Sequence, residues 1–390
     1  MQFRIGEKTA KIPWFLIPYL TLSVSVIYYI SNFNWGTGVE SFKGAVLVWP
    51  FVVATGAFLY LMKFIRRLAL LDFSALYVGY SAIVVLLVDG GGFRSSVTSL
   101  IYTFLWFCLL ICGCEFSRKG KLPRIVHWVT RGTVLISAIC FLYLAISVMS
   151  EASVKVLNPV FYLLYFLPFL FLDDNKAFTI VGVLLVFCVV IVSYKRTAAI
   201  IILLCLAYWF YRQLREKKKK AGKTLLLAVV VCLIGVALYS VIIQRFGNID
   251  WLNRMAEIEE TGGSGRTMRW ATFLPDMANS SFLEVVFGHG TAYLYYHNDF
   301  MQVLYDFGIV GAALYSGICF LLLHLYFRMK KAGFKYTTAY GISLIVFFFN
   351  SAVGQVIVVH TWFLQMAVFW GLVIGQFMLT QERTKNGAKK

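Results

Sequence analysis

Apolar runs long enough to cross a lipid bilayer recur from the start of the chain to its end, and nothing else constrains the fold as tightly. A bilayer core about 30 Å thick needs roughly 20 apolar residues in one helix, and backbone inside it must satisfy its own hydrogen bonds. Twelve segments meet or approach that length: 12–30, 44–62, 68–88, 97–114, 129–149, 157–172, 177–194, 197–211, 224–243, 299–327, 337–357 and 360–380. Little chain is left for a separate water-soluble domain. Residues 1–390 are therefore expected to form one all-α polytopic membrane domain with about twelve transmembrane helices. Composition agrees: only 14% of residues are charged, where soluble domains carry roughly 25%. No small-x-small cleavage pattern follows segment 12–30, which reads as a retained first helix rather than a signal peptide.

The net charge of +18 on a globular surface would point to nucleic acid. Here the basic residues sit between apolar runs, so membrane lipids are the expected partners and nucleic acid is not. With the N-terminus inside, 26 of the 36 Lys and Arg fall in connections on one side and nine on the other. The positive-inside rule then puts both termini in the cytoplasm. The run Arg215-Glu216-Lys217-Lys218-Lys219-Lys220 reads as a topology anchor against anionic headgroups. All eight cysteines lie within or at the ends of apolar spans, where they pack as small hydrophobes and suggest no disulfide framework.

Six of the nine outside cations occupy two places: the Lys195-Arg196 turn, and the large external loop 244–297 with Arg245, Arg254, Arg266 and Arg269. Within that loop Gly262-Gly263-Ser264-Gly265 is a flexible lead-in, and Ser264 suits the N-cap of a helix beginning near Arg266. On such a helix Arg266, Arg269, Trp270, Phe273, Leu274 and Met277 share one face, and Pro275 is expected to disturb its middle. This amphipathic helix suits the membrane surface. Two readings of its arginines stand. Either they gather a phosphate or pyrophosphate at a helix N-terminus, or they snorkel to hold the helix at the headgroups.

The loop closes with His297-Asn298-Asp299. His297 is either a general base for a sugar hydroxyl or part of a helix start. Asn298 and Asp299 either orient it and bind sugar hydroxyls or cap the helix. Asp306, deeper in the next span, is a functional candidate because burying an ionisable group is expensive. His289, held between Gly288 and Gly290, is a further candidate for the same site. His360, at the outer start of the last span, is a second-choice histidine. Asp72 is interfacial or buried, and His127 and His324 read as structural. No phosphate-loop, His-Glu-x-x-His or Gly-x-Ser-x-Gly pattern is present, and the loop holds no Asp-x-Asp pair for a divalent ion. The chemistry left is expected to need no metal and no cofactor, and to rely on arginine.

Three marks, in this order, resemble the O-antigen polymerase and ligase superfamily. They are Ser193-Tyr194-Lys195-Arg196-Thr197 at an external turn, Ser264-Gly265-Arg266 with Trp270 four residues on, and Gly288-His289-Gly290 followed by His297-Asn298-Asp299-Phe300-Met301-Gln302 and then Asp306-x-Gly308-x-x-Gly311. The resemblance covers mainly residues 190–315, and Tyr194-Lys195 is an insertion relative to the family's Ser-Arg turn. It implies an integral-membrane glycosyltransferase of the GT-C type in a bacterial cytoplasmic membrane. Its substrate would be an undecaprenyl-pyrophosphate-linked oligosaccharide at the external face, with a separate chain-length regulator as partner. Arg196 and Arg266 would hold the pyrophosphate with Lys195 and Arg269, and His297 would be the base. A repeat-unit polymerase is expected ahead of a ligase, and both ahead of a lipid-linked oligosaccharide transporter.

Overall fold

A computed structural model describes residues 2–5, 8–11, 15–31, 49–61, 68–88, 93–120, 122, 124–149, 158–193, 195–216, 266–290, 296–354, 356–357 and 360–387. The expected span 224–243, the loop 244–265 and the Ser264 cap lie outside the described residues.

The chain opens with an antiparallel hairpin, β1 (Gln2–Ile5) and β2 (Lys8–Lys11), with Gln2 opposite Lys11. Among the described residues this hairpin is the one departure from the expected all-α architecture. Gln2-Phe3-Arg4-Ile5 alternates polar and apolar residues ahead of Gly6, a pattern that favours a strand and turn. The other described elements are helices: α1 (Leu16–Ser31), α2 (Trp49–Leu61), α3 (Ala69–Leu87), α4 (Phe93–Arg118), α5 (Arg124–Met149), α6 (Val160–Leu170), α7 (Lys176–Val192), α8 (Arg196–Glu216), α9 (Arg266–Ala278), α10 (Phe282–Phe287), α11 (Asp299–Lys331), α12 (Thr337–Val353) and α13 (His360–Gly387). Every expected apolar segment within the described residues coincides with one of them. Among these, six (α3, α4, α5, α8, α11, α13) are long and apolar enough to cross a membrane, while α1, α6, α7 and α12 are apolar but shorter.

Pattern decides position in the bundle. A helix apolar all round belongs in the interior. α6 is such a helix, and ten of its eleven residues are buried. It packs against α5, α7, α8, α12 and α13. α13 shares its most extensive contact with α4, because Gly113, Gly371 and Gly375 let the two backbones touch. A Cβ on Gly371 would stand 2.6 Å from Leu110 O. Outward residues such as Leu86, Leu87, Ile139 and Tyr143 are large, apolar and exposed, as expected of a surface solvated by lipid.

Segments expected on the inner side meet one another. Arg131 grips Asp173 through Nε and a second guanidinium nitrogen at 2.6 and 2.8 Å. Lys335 pairs with Asp174, and Arg118 with Glu382 at 3.3 Å. The external candidates collect at the opposite end.

Candidate active site

Two helices present an arginine as their first residue. Ser193, fully buried, builds the turn before α8: its hydroxyl donates to Val190 O at 2.7 Å and accepts from the Lys195 N–H at 3.2 Å. The chain thus reverses sharply, and Arg196 opens α8. Arg266 opens α9. A cation in a first turn opposes the helix dipole, so each position is unfavourable unless an anion is present. The two are also close enough to interact. Burial, and then the charge of Arg196, lower the proton affinity of the Arg266 guanidinium.

His297 completes the group. It is the one non-glycine residue with a left-handed backbone among the described residues, at φ 52°. Burial, then the charges of Arg266, Arg269 and Lys195, pull its pKa below the ordinary 6.5. The imidazole is therefore neutral at pH 7, the form that accepts a proton. The fold has brought Lys195, Arg196, Arg266, Arg269 and His297 together from positions a hundred residues apart.

Tyr296, the residue before His297 and only 1% exposed, locks α9 in place. Trp270 Nε1–H donates to Tyr296 O at 2.8 Å, and the Tyr296 hydroxyl donates to Asp276 Oδ2 at 2.8 Å. The Phe273 and Tyr305 rings meet the Tyr296 ring at centroid distances of 5.1 and 5.4 Å. The inward face of α9 is narrower than its spacing suggests: Phe273 is buried and Trp270 and Met277 are half-buried, but Leu274 is 74% exposed and Arg269 is also exposed. The helix runs through Pro275 to Ala278 without the expected interruption.

The remaining candidates hold the frame. Asn298 is the N-cap of α11. Its Oδ1 accepts from the N–H groups of Phe300 and Met301 at 2.9 and 3.1 Å, and its Nδ2 donates to Ala352 O at 2.8 Å. Asp299, fully buried, accepts from the backbone N–H groups of Val356 and Ile357 at 3.1 and 3.2 Å, tying α11 to the segment ahead of α13. Asp306 accepts from Gln302 Nε2–H, 2.9 and 3.0 Å from its two oxygens, while Gln302 Oε1 accepts from Tyr296 N–H at 3.2 Å. His289 stacks on Tyr305 at 4.0 Å; its Nδ1–H donates to Tyr305 O at 3.0 Å and its Nε2 lies 2.8 Å from the Ser280 hydroxyl. Both of its ring nitrogens are occupied in joining the α9–α10 connection to α11. His360 is the first residue of α13, and its side chain lies outside the described residues. Among the described residues no three His, Cys, Asp or Glu side chains gather as a metal site requires.

The glycines of the third mark make a backbone crossing. Gly308 interrupts α11 at φ 63°, ψ −169°, a conformation essentially restricted to glycine. A Cβ there would stand 2.4 Å from Val286 O, and one on Gly288 (φ 95°) would stand 2.2 Å from Asp306 O. The Tyr80 hydroxyl of α3 reaches both exposed carbonyls, Phe287 O at 2.9 Å and Phe307 O at 3.1 Å. α11 has 33 residues, yet the part after Gly308 alone covers about 35 Å at roughly 1.5 Å per residue, enough for a bilayer core of about 30 Å. Asp306 lies on the short segment of α11 that precedes the break at Gly308.

Residues 181–316 match the family model Wzy_C, described as O-antigen ligase. The matched stretch runs from within α7 to within α11 and contains every clustered cation, His297 and the glycine crossing. It supports the resemblance to the polymerase and ligase superfamily without separating the two activities. A comparison with curated proteins found no match. Neither Tyr296 nor Gln302 carries a role on sequence grounds. The i, i+4 spacing of Gln302 and Asp306 is a signal for their pairing, whereas nothing local announces Tyr296.

Proposed function

We propose that the protein is a membrane glycosyltransferase that joins lipid-pyrophosphate-linked oligosaccharide units, acting at the outer face of the cytoplasmic membrane of a bacterium. One observation carries this reading: Arg196 stands beside Arg266, and Arg266 gathers with Lys195 and Arg269 around His297. Two helix starts add their positive dipole ends to four cations, an arrangement suited to a pyrophosphate. The acceptor hydroxyl oxygen bonds to the anomeric carbon on the face opposite the carrier. The carbon–oxygen bond to the pyrophosphate breaks, and its electron pair leaves with the phosphate under the arginines. The hydroxyl proton passes to His297. The anomeric carbon inverts, and no metal is needed to steady the leaving charge. Exposed Met268, Leu274, Phe282 and Leu283 suit a segment that guides the carrier lipid along the interface.

The match to a family described as O-antigen ligase supports a second reading, transfer of the glycan to a lipid A core sugar by the same chemistry. A deletion strain separates the two: single capped repeats indicate a polymerase, and loss of surface glycan with intact lipid-linked chains indicates a ligase. His297→Ala, Arg196→Ala and Arg266→Ala should each abolish the long glycan while the protein remains in the membrane. Normal glycan in all three would sink the proposal. Purified protein that forms polymer from lipid-linked units without nucleotide or metal would exclude a transporter.

A further inference from the structure

We infer that Gln302 is a positioning residue for His297, with Asp306 setting its orientation; this rests on His297 being the base. The geometry is a relay of three groups. The Asp306 carboxylate, a pure acceptor when ionised, takes the Gln302 Nε2–H with both oxygens at 2.9 and 3.0 Å. That contact leaves the amide one orientation, with Oε1 turned toward Tyr296 N–H at 3.2 Å. Both side chains are buried, at 2% and 7% exposure, so neither meets substrate. The other side of the same residue is held by Trp270, whose indole N–H donates to Tyr296 O.

Tyr296 is thus clamped at its N–H from α11 and at its carbonyl from α9. The next residue, His297, keeps a left-handed backbone at φ 52°, which is unfavourable for a non-glycine residue and persists only when neighbours over-determine it. The clamp supplies that determination. It aims the imidazole at the cations from two directions, Lys195 from the α7–α8 turn and Arg266 and Arg269 from α9. Asp299 is turned aside, toward the Val356 and Ile357 N–H groups.

The test uses full-length protein in nanodiscs. The probe is the polyprenyl-pyrophosphate oligosaccharides extracted from parent cells lacking this protein. Gln302→Met keeps the shape and removes the acceptor; Asp306→Asn removes the orienting charge and serves also if the first variant does not fold. In Gln302→Met, kcat should fall about 10- to 100-fold, the range expected when a reacting group is displaced by about 1 Å, with KM within about twofold. The acid limb of the pH–rate profile should move up toward 6.5 as the imidazole leaves the cations. Asp306→Asn should follow in the same direction by less. A fall in kcat with an unmoved acid limb overturns the inference, as does an unchanged kcat. His297→Ala in the same assay separates the two ideas: if it is inactive while both variants behave as wild type, only the positioning role falls, and if it is active, the base assignment falls too.

Discussion

At the scale of the residue, His297 is governed by its neighbours' charge. Its pKa is depressed by burial and by Arg266, Arg269 and Lys195, so the neutral base survives to lower pH than a free imidazole would. Protonation, and with it loss of activity, is expected only as pH falls below 6.5. A bound pyrophosphate neutralises the same cations and lets the imidazole hold a proton more tightly. The acid limb of kcat, which reports the substrate complex, should therefore lie at higher pH than that of kcat/KM, which reports the free enzyme. Coincident limbs would show that the anion does not sit beside His297. Asn298 tells a different story from its neighbour. Its side chain is spent on two cap bonds and Ala352 O, so Asn298→Ala should cost about 1 kcal/mol in stability, read as a lower unfolding temperature, with KM little changed.

At the scale of the element, the site is a meeting of helix ends. α8 and α9 each begin at an arginine, and α11 begins two residues after His297. What holds them is the crossing of Gly288 and Gly308, whose carbonyl neighbours share the Tyr80 hydroxyl. Gly308→Ala places a methyl 2.4 Å from Val286 O and forces alanine into a glycine-only conformation costing roughly 1–3 kcal/mol. The variant should insert in the membrane but lose protease resistance across residues 266–298, and glycan synthesis with it. A variant as resistant and active as wild type would remove the crossing from the account. Ala at Gly79, where a Cβ meets nothing within 4 Å, is the matched control.

At the scale of the whole molecule, one end of the bundle is stitched by Arg131–Asp173, Lys335–Asp174 and Arg118–Glu382, and the other carries the clustered cations Lys195, Arg196, Arg266 and Arg269. The asymmetry predicts sidedness. Cysteines introduced at exposed Ala278 and exposed Ala332 should respond oppositely to a membrane-impermeant maleimide on intact cells, Ala278→Cys labelling and Ala332→Cys not. The reverse pattern would turn the site to the cytoplasm and end the proposed chemistry, which requires a lipid-linked substrate at the outer face.

The sequence by itself determined where helices form, and it carries an expectation of which segments share a side of the membrane. Run length and the placement of Lys and Arg are local quantities, set by the thickness and charge asymmetry of the bilayer. Every apolar segment within the described residues is a helix for that reason, and α9 starts at Arg266 as its spacing implies. The marks around residues 193–197, 264–270 and 288–311 were legible as chemistry, but their spacing left anchoring and anion binding equally open for Arg266 and Arg269. Tertiary structure alone brought Arg196 beside Arg266, and Arg266, Arg269 and Lys195 beside His297. It also sent Asn298, Asp299 and His289 to structural work, and it used Gly308 to break a helix rather than only to pack one. These outcomes depend on contacts between residues more than two hundred positions apart, such as Tyr80 with Phe287 and Phe307. No local pattern encodes such contacts, because the partner atoms are defined only once the bundle has closed.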